Sequence, residues 1–155
     1  MSRISYIPDF QEWASDFKVY REVQVRFSET DMYGHLNNTV PFTYFEMARI
    51  EFLKEIGLAN ELLNTTSESI IVVADLQCDY LQQVFFDDVL KIYVKANKLG
   101  NSSVDIHYLA LKGETPCFTG RGTIVHMDKA TGKSTPWTDS MREKMLGYKK
   151  VETTN

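Results

Sequence analysis

Between Val40 and Ile56 the chain carries apolar side chains on most sides of a helical wheel: Val40, Phe42, Phe45, Met47, Ala48, Ile50, Phe52, Leu53 and Ile56. A helix of that kind is stable only when other elements surround it, so this segment is expected to be deeply buried. Its start is marked by the cap-forming run Asn37, Asn38 and Thr39 with Pro41 in the first turn, and its end by Gly57. Immediately before it, Glu29 to Asn38 gathers Glu29, Asp31, His35, Asn37 and Asn38 around Gly34, more ionisable and amide groups than a connector requires. The unpaired N–H groups and positive dipole end of the helix therefore lie beside a polar loop, a place suited to an anion or a polarised carbonyl.

The remainder reads as sheet. From Lys18 the chain alternates, with Val19, Val23, Val25 and Phe27 on one face and Tyr20, Glu22, Gln24 and Arg26 on the other. Ile70 to Tyr80 reads as one strand, Val89 to Leu99 as another, and Ser103 to Lys112 and Thr115 to Asp128 follow after turn signals at Gly100-Asn101 and Gly113-Glu114. Gly120 and Gly122 mark a bulge or close packing. Residues 1–17 read as an irregular or briefly helical lead-in, Leu58 to Ser69 as a helical turn and loop, and 138–146 as a short terminal helix. One strand, a buried helix and four successive strands predict an α+β fold, an antiparallel β-sheet wrapped around one long central α-helix.

At 155 residues, 43% of them hydrophobic, the chain is expected to form a single domain over 1–155, with its core at about 18–136. A net charge of -4 argues against nucleic acid as a partner. No apolar run approaches the roughly 18 residues of a membrane span, and no signal-peptide core is visible, so a cytoplasmic protein without a membrane partner is expected. Cys78 and Cys117 are expected to be reduced.

The stretch VRFSETDMYGHLNNTVPFTYFEMARIEFL, with Asp-x-x-Gly-His-x-Asn-Asn at Asp31 to Asn38 and Phe-Glu-x-Ala-Arg at Phe45 to Arg49, resembles the hotdog-fold acyl-CoA thioesterases of the 4-hydroxybenzoyl-CoA thioesterase-like type. Asp79-Tyr80, Asn101 to Val104 and Gly122 to Asp128 extend the likeness. The resemblance implies a homodimer or homotetramer with sheets joined edge to edge, an acyl-CoA substrate and an active site at the dimer interface. It also implies Asp31 as the catalytic carboxylate and the backbone N–H near Asn38 as the group that polarises the thioester carbonyl. Pro41 departs from the pattern where relatives commonly carry Tyr, so the acyl pocket is expected to differ.

Thioester hydrolysis needs a base or nucleophile, an oxyanion donor and an acyl pocket. Asp31 suits the first role, by direct attack or by activating water, although its bland alternative is an Asx turn. The helix N-terminus at Asn38 suits the second. His35 with Asp31 lacks a third ligand for a metal, so none is expected, and no cofactor beyond the coenzyme A of the substrate. Glu46 either orients the loop or water, or pairs with Arg49. Tyr33 and Tyr44 read as packing residues with hydroxyls near the cleft, and together with Gly34, Asn37, Ser103, a turn residue that the resemblance places near the site, and Arg121 they complete the candidate substrate-binding set; Arg121, Lys91, Lys95 and Lys98 are candidates for the coenzyme A phosphates, on faces that solvent would ordinarily occupy. No Gly-x-Ser-x-Gly elbow is present. The alternatives carried forward are a non-catalytic acyl-thioester binder or assembly subunit, an acyl-carrier-protein thioesterase and a hotdog hydratase.

Overall fold

The computed structural model describes residues 4–148 and 152–153. Its sheet is built from β1 (Val19–Gln24), β2 (Ser69–Val73), β3 (Gln77–Tyr80), β4 (Val89–Leu99), β5 (Ser103–Lys112), β6 (Thr115–Asp128) and β7 (Glu152–Thr153). The strand order is β1-β4-β5-β6-β2, with β3 also paired to β6 and β7 running parallel to the end of β4. The remaining pairings are antiparallel. The helices are α1 (Phe10–Ser15), α2 (Val40–Glu55), α3 (Ala59–Leu62) and α4 (Asp139–Tyr148).

Helix α2 lies on the curled sheet with one stripe buried: Pro41, Tyr44, Phe45, Ala48, Arg49, Phe52 and Leu53. That spacing is the signature of a helix covered from one side, so the expectation of burial all round is corrected. Phe42, Met47 and Ile50 are only half-buried, and Thr43 and Glu46 are exposed. Phe45 is the keystone of the contact, 0% exposed, stacked on Tyr108 of β5 at 4.4 Å and edge-on to Phe118 of β6 at 5.8 Å. Such close approach requires Gly120, where a Cβ would sit 2.4 Å from the Phe45 ring. The helix ends as its sequence implies: Gly57 takes a φ of 81°, and Leu58 N–H returns to Leu53 O at 2.8 Å.

Two strand expectations need correction. Phe27 leaves the β1 alternation and opens a 3₁₀ turn, Phe27–Glu29, with its ring exposed. The expected strand from Ile70 to Tyr80 is broken in two, which makes five strands after α2 before the terminal helix. Val73 pairs with Ile124 and Gln77 with Arg121, so residues 74–76 stand opposite residues 122 and 123 alone, as in a bulge. The Asp75 carboxylate takes up the freed Thr123 N–H at 2.7 Å and the Arg121 guanidinium at 3.3 Å. Gly122 permits this crossing, since a Cβ there would lie 2.6 Å from Asp75 O.

The lead-in packs on the opposite face of the sheet. Ile4, Ile7, Trp13 and Phe17 bury themselves with Leu109, and Lys95 and His107 beneath them are only 2% and 1% exposed. Trp13 Nε1–H donates to His107 Nδ1 at 2.8 Å, so that nitrogen must be unprotonated, and Nε2–H is left to donate to Asp105 at 2.8 Å. Lys95 Nζ donates to Trp13 O at 2.5 Å. Desolvation dominates the His107 environment and pushes its pKa below the ordinary 6.5, although Asp105 pulls it up. The folded protein thus resists the proton that the unfolded chain accepts, so stability is full above about pH 6.5 and is lost as pH falls below it. Urea titrations from pH 8 to 5.5 are expected to show a steeper loss in the native protein than in His107→Gln; parallel curves would exclude His107 as the cause.

Candidate active site

Asp31 to Asn38 form a compact turn around Gly34, whose φ of 81° is one that side chains rarely adopt. Asp31 N–H donates to His35 O at 2.8 Å, and Gly34 N–H donates back to Asp31 O at 3.1 Å. The Asp31 carboxylate uses one oxygen, Oδ1, to accept from Tyr33 N–H at 2.8 Å and His35 N–H at 3.2 Å. Its other oxygen is unengaged among the described residues. The Asx-turn role and the chemical role are therefore compatible, one oxygen serving each.

The outgoing limb of the loop leads into α2. Asn37 Oδ1 accepts from both the N–H and the hydroxyl of Thr39, each at 3.0 Å. Asn37 O accepts Val40 N–H at 3.0 Å, while the Asn38 N–H has no acceptor among the described residues. The carbonyl of Asn38 accepts from the Tyr80 hydroxyl, which ties β3 to the start of the helix. Burial pushes the Tyr80 pKa up to about 12, so this hydroxyl keeps its proton and remains a donor.

Asp31, His35 and Asn38 meet in one cleft of about 310 Å³, walled by Leu36, Pro41 and Phe118, by Tyr80 and by residues 81–84. The wall from 81 to 84 is held by Leu36 N–H to Val84 O at 2.7 Å, and by Leu81 and Gln82 N–H to Cys117 O at 2.9 and 3.0 Å. His35 packs its ring edge-on to Phe85 at 5.1 Å. Asp31, with one carboxylate oxygen unengaged, and Asn38, with its N–H uncommitted, thus line one largely apolar space, an arrangement suited to acyl transfer to water.

The other candidates lie elsewhere in this chain. Tyr33 is exposed on the outside of the turn, and Gly34 and Asn37 shape the loop without lining the cleft. Tyr44 is buried and its hydroxyl bonds Glu29. Glu46 is exposed and forms no pair with Arg49, whose guanidinium donates to the Tyr108 hydroxyl at 3.0 Å; the buried setting expected for Glu46 is corrected by the one-sided burial of α2. Ser103 stands at the start of β5, with its carbonyl accepting from Trp137 Nε1–H. Arg121 is held by Asp105 at 2.8 Å and Asp75 at 3.3 Å rather than standing free for a phosphate. Lys95, expected on a solvated face, is buried under Trp13. Gln82, Gln83 and Phe118 are cleft residues that sequence reasoning did not single out, and Tyr80 entered it only as part of the family likeness. Their signal is faint: an unusually apolar connection, Leu81 followed by Val84, Phe85 and Phe86, between two strands. Among the described residues no group of three or more His, Cys, Asp or Glu side chains is gathered as a metal ion requires.

A curled antiparallel sheet with a helix laid on it, entered through a polar loop, is the arrangement of the hotdog type of fold. The chain belongs to the Thioesterase-like superfamily, whose family model matches residues 25–145. It is 47% identical over 139 residues to the uncharacterized protein YsmA of Bacillus subtilis, covering 88% of this chain and 91% of that one. A predicted thioesterase from Bacillus stearothermophilus superposes with a TM-score of 0.77 at 26% identity, over 88% of this chain and 98% of the other. A thioesterase from Thermus thermophilus, solved with coenzyme A and Zn, superposes with a TM-score of 0.73 at 30% identity, over 85% of this chain and 95% of the other. No helix among the described residues is long and apolar enough to cross a membrane.

Proposed function

We propose that this protein is an acyl-CoA thioesterase of the 4-hydroxybenzoyl-CoA thioesterase-like type, cytoplasmic, and active as a homo-oligomer without a cofactor of its own. The observation that carries the reading is the shared cleft of Asp31 and the Asn38 N–H at the start of α2. Coenzyme A bound to the Thermus thermophilus relative supports the choice of substrate.

In this scheme the acyl group lies along Leu36, Pro41, Val84 and Phe118, with its carbonyl oxygen at the Asn38 N–H. The open oxygen of Asp31 either takes a proton from water as the water oxygen attacks the carbonyl carbon, or attacks that carbon itself to form an acyl anhydride that water then opens. Either way the oxyanion charge forms at the N–H and at the positive end of α2, where one aimed donor contributes about 3 kcal/mol. The C–S bond breaks, the thiolate leaves and takes a proton, and the products are the free acid and coenzyme A. Label left in Asp31 after a single turnover in ¹⁸O water would establish direct attack with the anhydride opened at the Asp31 carbon, whereas general base catalysis, like opening at the acyl carbon, places the label in the acid.

Partner association is read from the outer edge of β2, where Val72 and Val73 are exposed beside an unpaired ladder, and from the exposed Phe27, Met32 and Tyr33 at the loop. Sedimentation at micromolar concentration is expected to give a dimer or tetramer; a monomer would contradict this part. The substrate test is thiol release from short, long and aromatic acyl-CoAs beside the same acyl groups on carrier protein. Turnover faster on the CoA series is expected; turnover confined to carrier protein would overturn the choice of carrier.

A further inference from the structure

Glu29 and Tyr44 have no part in the hydrolytic scheme, yet they form a hydrogen bond directly behind the Asp31 loop. Tyr44, on the second turn of α2, is 2% exposed, and its hydroxyl donates to Glu29 Oε1 at 2.9 Å. The Glu29 side chain is 12% exposed, and the same oxygen accepts Arg26 N–H at 2.8 Å while the Arg26 guanidinium reaches Oε2 at 3.4 Å. The main chain of Glu29 faces the other way: its carbonyl accepts Asn37 N–H at 2.8 Å. Contacts therefore close a ring from the Glu29 carboxylate to Tyr44, up α2 to its start, through Asn37 and back to the Glu29 carbonyl. Asp31 lies two residues beyond this ring, and Asn38 lies within it, between Asn37 and the start of α2.

We propose that the Glu29–Tyr44 pair is a positioning device, which sets the Asp31 carboxylate against the Asn38 N–H. The inference rests on the thioesterase reading above. Neither residue lines the cleft, so neither touches the acyl group within this chain. Tyr44, a candidate for substrate contact by sequence, acts through Glu29. Glu29 is suited to the task because it stays ionised: desolvation pushes its carboxyl pKa up, but the Arg26 N–H, the Tyr44 hydroxyl and the Arg26 guanidinium together hold it below the ordinary carboxylate value. Attack on a carbonyl tolerates little displacement, and a misplacement of about 1 Å costs roughly 100-fold in rate.

The test is steady-state kinetics on Tyr44→Phe, Glu29→Ala, Glu29→Gln and the double variant Glu29→Ala with Tyr44→Phe, each verified as folded by circular dichroism and urea titration. Tyr44→Phe removes one oxygen and keeps the ring. It is expected to lower kcat about 10- to 100-fold with KM within about twofold of native, the pattern of a group that acts only on the chemical step. Glu29→Ala should match it, and the double variant should be no worse than the poorer single, since both act through one bond. Glu29→Gln, which keeps an acceptor oxygen for Tyr44 and Arg26, should recover most of the rate. A folded Tyr44→Phe enzyme with native kcat, or a loss confined to KM, would overturn the positioning role while leaving the thioesterase reading intact. A native protein that hydrolyses no acyl thioester would overturn both.

Discussion

Asp31→Asn is expected to lower kcat/KM for acyl-thioester hydrolysis about 1,000-fold, roughly 4 kcal/mol of transition-state stabilisation, and to leave the fold in place. The amide oxygen of Asn can still accept the Tyr33 and His35 N–H groups that Asp31 Oδ1 accepts now at 2.8 and 3.2 Å, so the turn around Gly34 survives. The replaced atom is the other oxygen, the one unengaged among the described residues. An amide nitrogen there neither takes a proton from water nor attacks a carbonyl. Because the loss falls on the chemical step, KM should stay near native. Rates within tenfold of native in a folded variant would remove Asp31 from the mechanism.

The second large effect is on stability and lies where the helix meets the sheet. Gly120→Ala places a methyl group 2.4 Å from Phe45 Cε2 and Cζ and 3.0 Å from Gln77 O. Phe45 has nowhere to retreat, since its ring is fully buried, stacked on Tyr108 at 4.4 Å and flanked by Phe118. Overpacking of this kind costs about 2–3 kcal/mol, which for a chain of this size is a fall in Tm of about 5–10 °C. Phe118 also lines the cleft, so turnover should decrease as the ring is displaced. Combining Gly120→Ala with Phe45→Leu should cost less than the sum of the two single changes, because the smaller side chain frees the space the methyl needs. Additive losses, or a Tm within about 1 °C of native for Gly120→Ala, would contradict the close contact.

Much of the frame was legible because it rests on local rules. Period-two alternation located β4, β5 and β6, the capping run and Gly57 located both ends of α2, and the polar loop before it contained three residues that meet in the cleft, Asp31, His35 and Asn38. What escaped depends on what covers each face. Alternation shows that a strand has two faces, but not that a lead-in helix buries the polar one; Lys95 therefore looked solvated and is not, and His107 is buried beneath the same lead-in. The apolar count of α2 implied burial all round, whereas the sheet covers one stripe and leaves Glu46 outside. The break at residues 74–76 arises from a backbone crossing at Gly122, and the cleft wall from 81 to 84 from a return of the chain to Leu36 and Cys117; neither is written in the local pattern of its own segment.

The central claim, that this cleft cleaves acyl thioesters rather than only holding them, is tested most directly by following binding and free-thiol release together in one sample. Native protein at micromolar concentration would be titrated with acyl-CoA, its binding heat and thiol release recorded at once. Saturable thiol release continuing over many equivalents, with the free acid appearing at the same rate, is the predicted result. Saturable binding heat with no thiol released would contradict the account and make the protein an acyl-thioester binder.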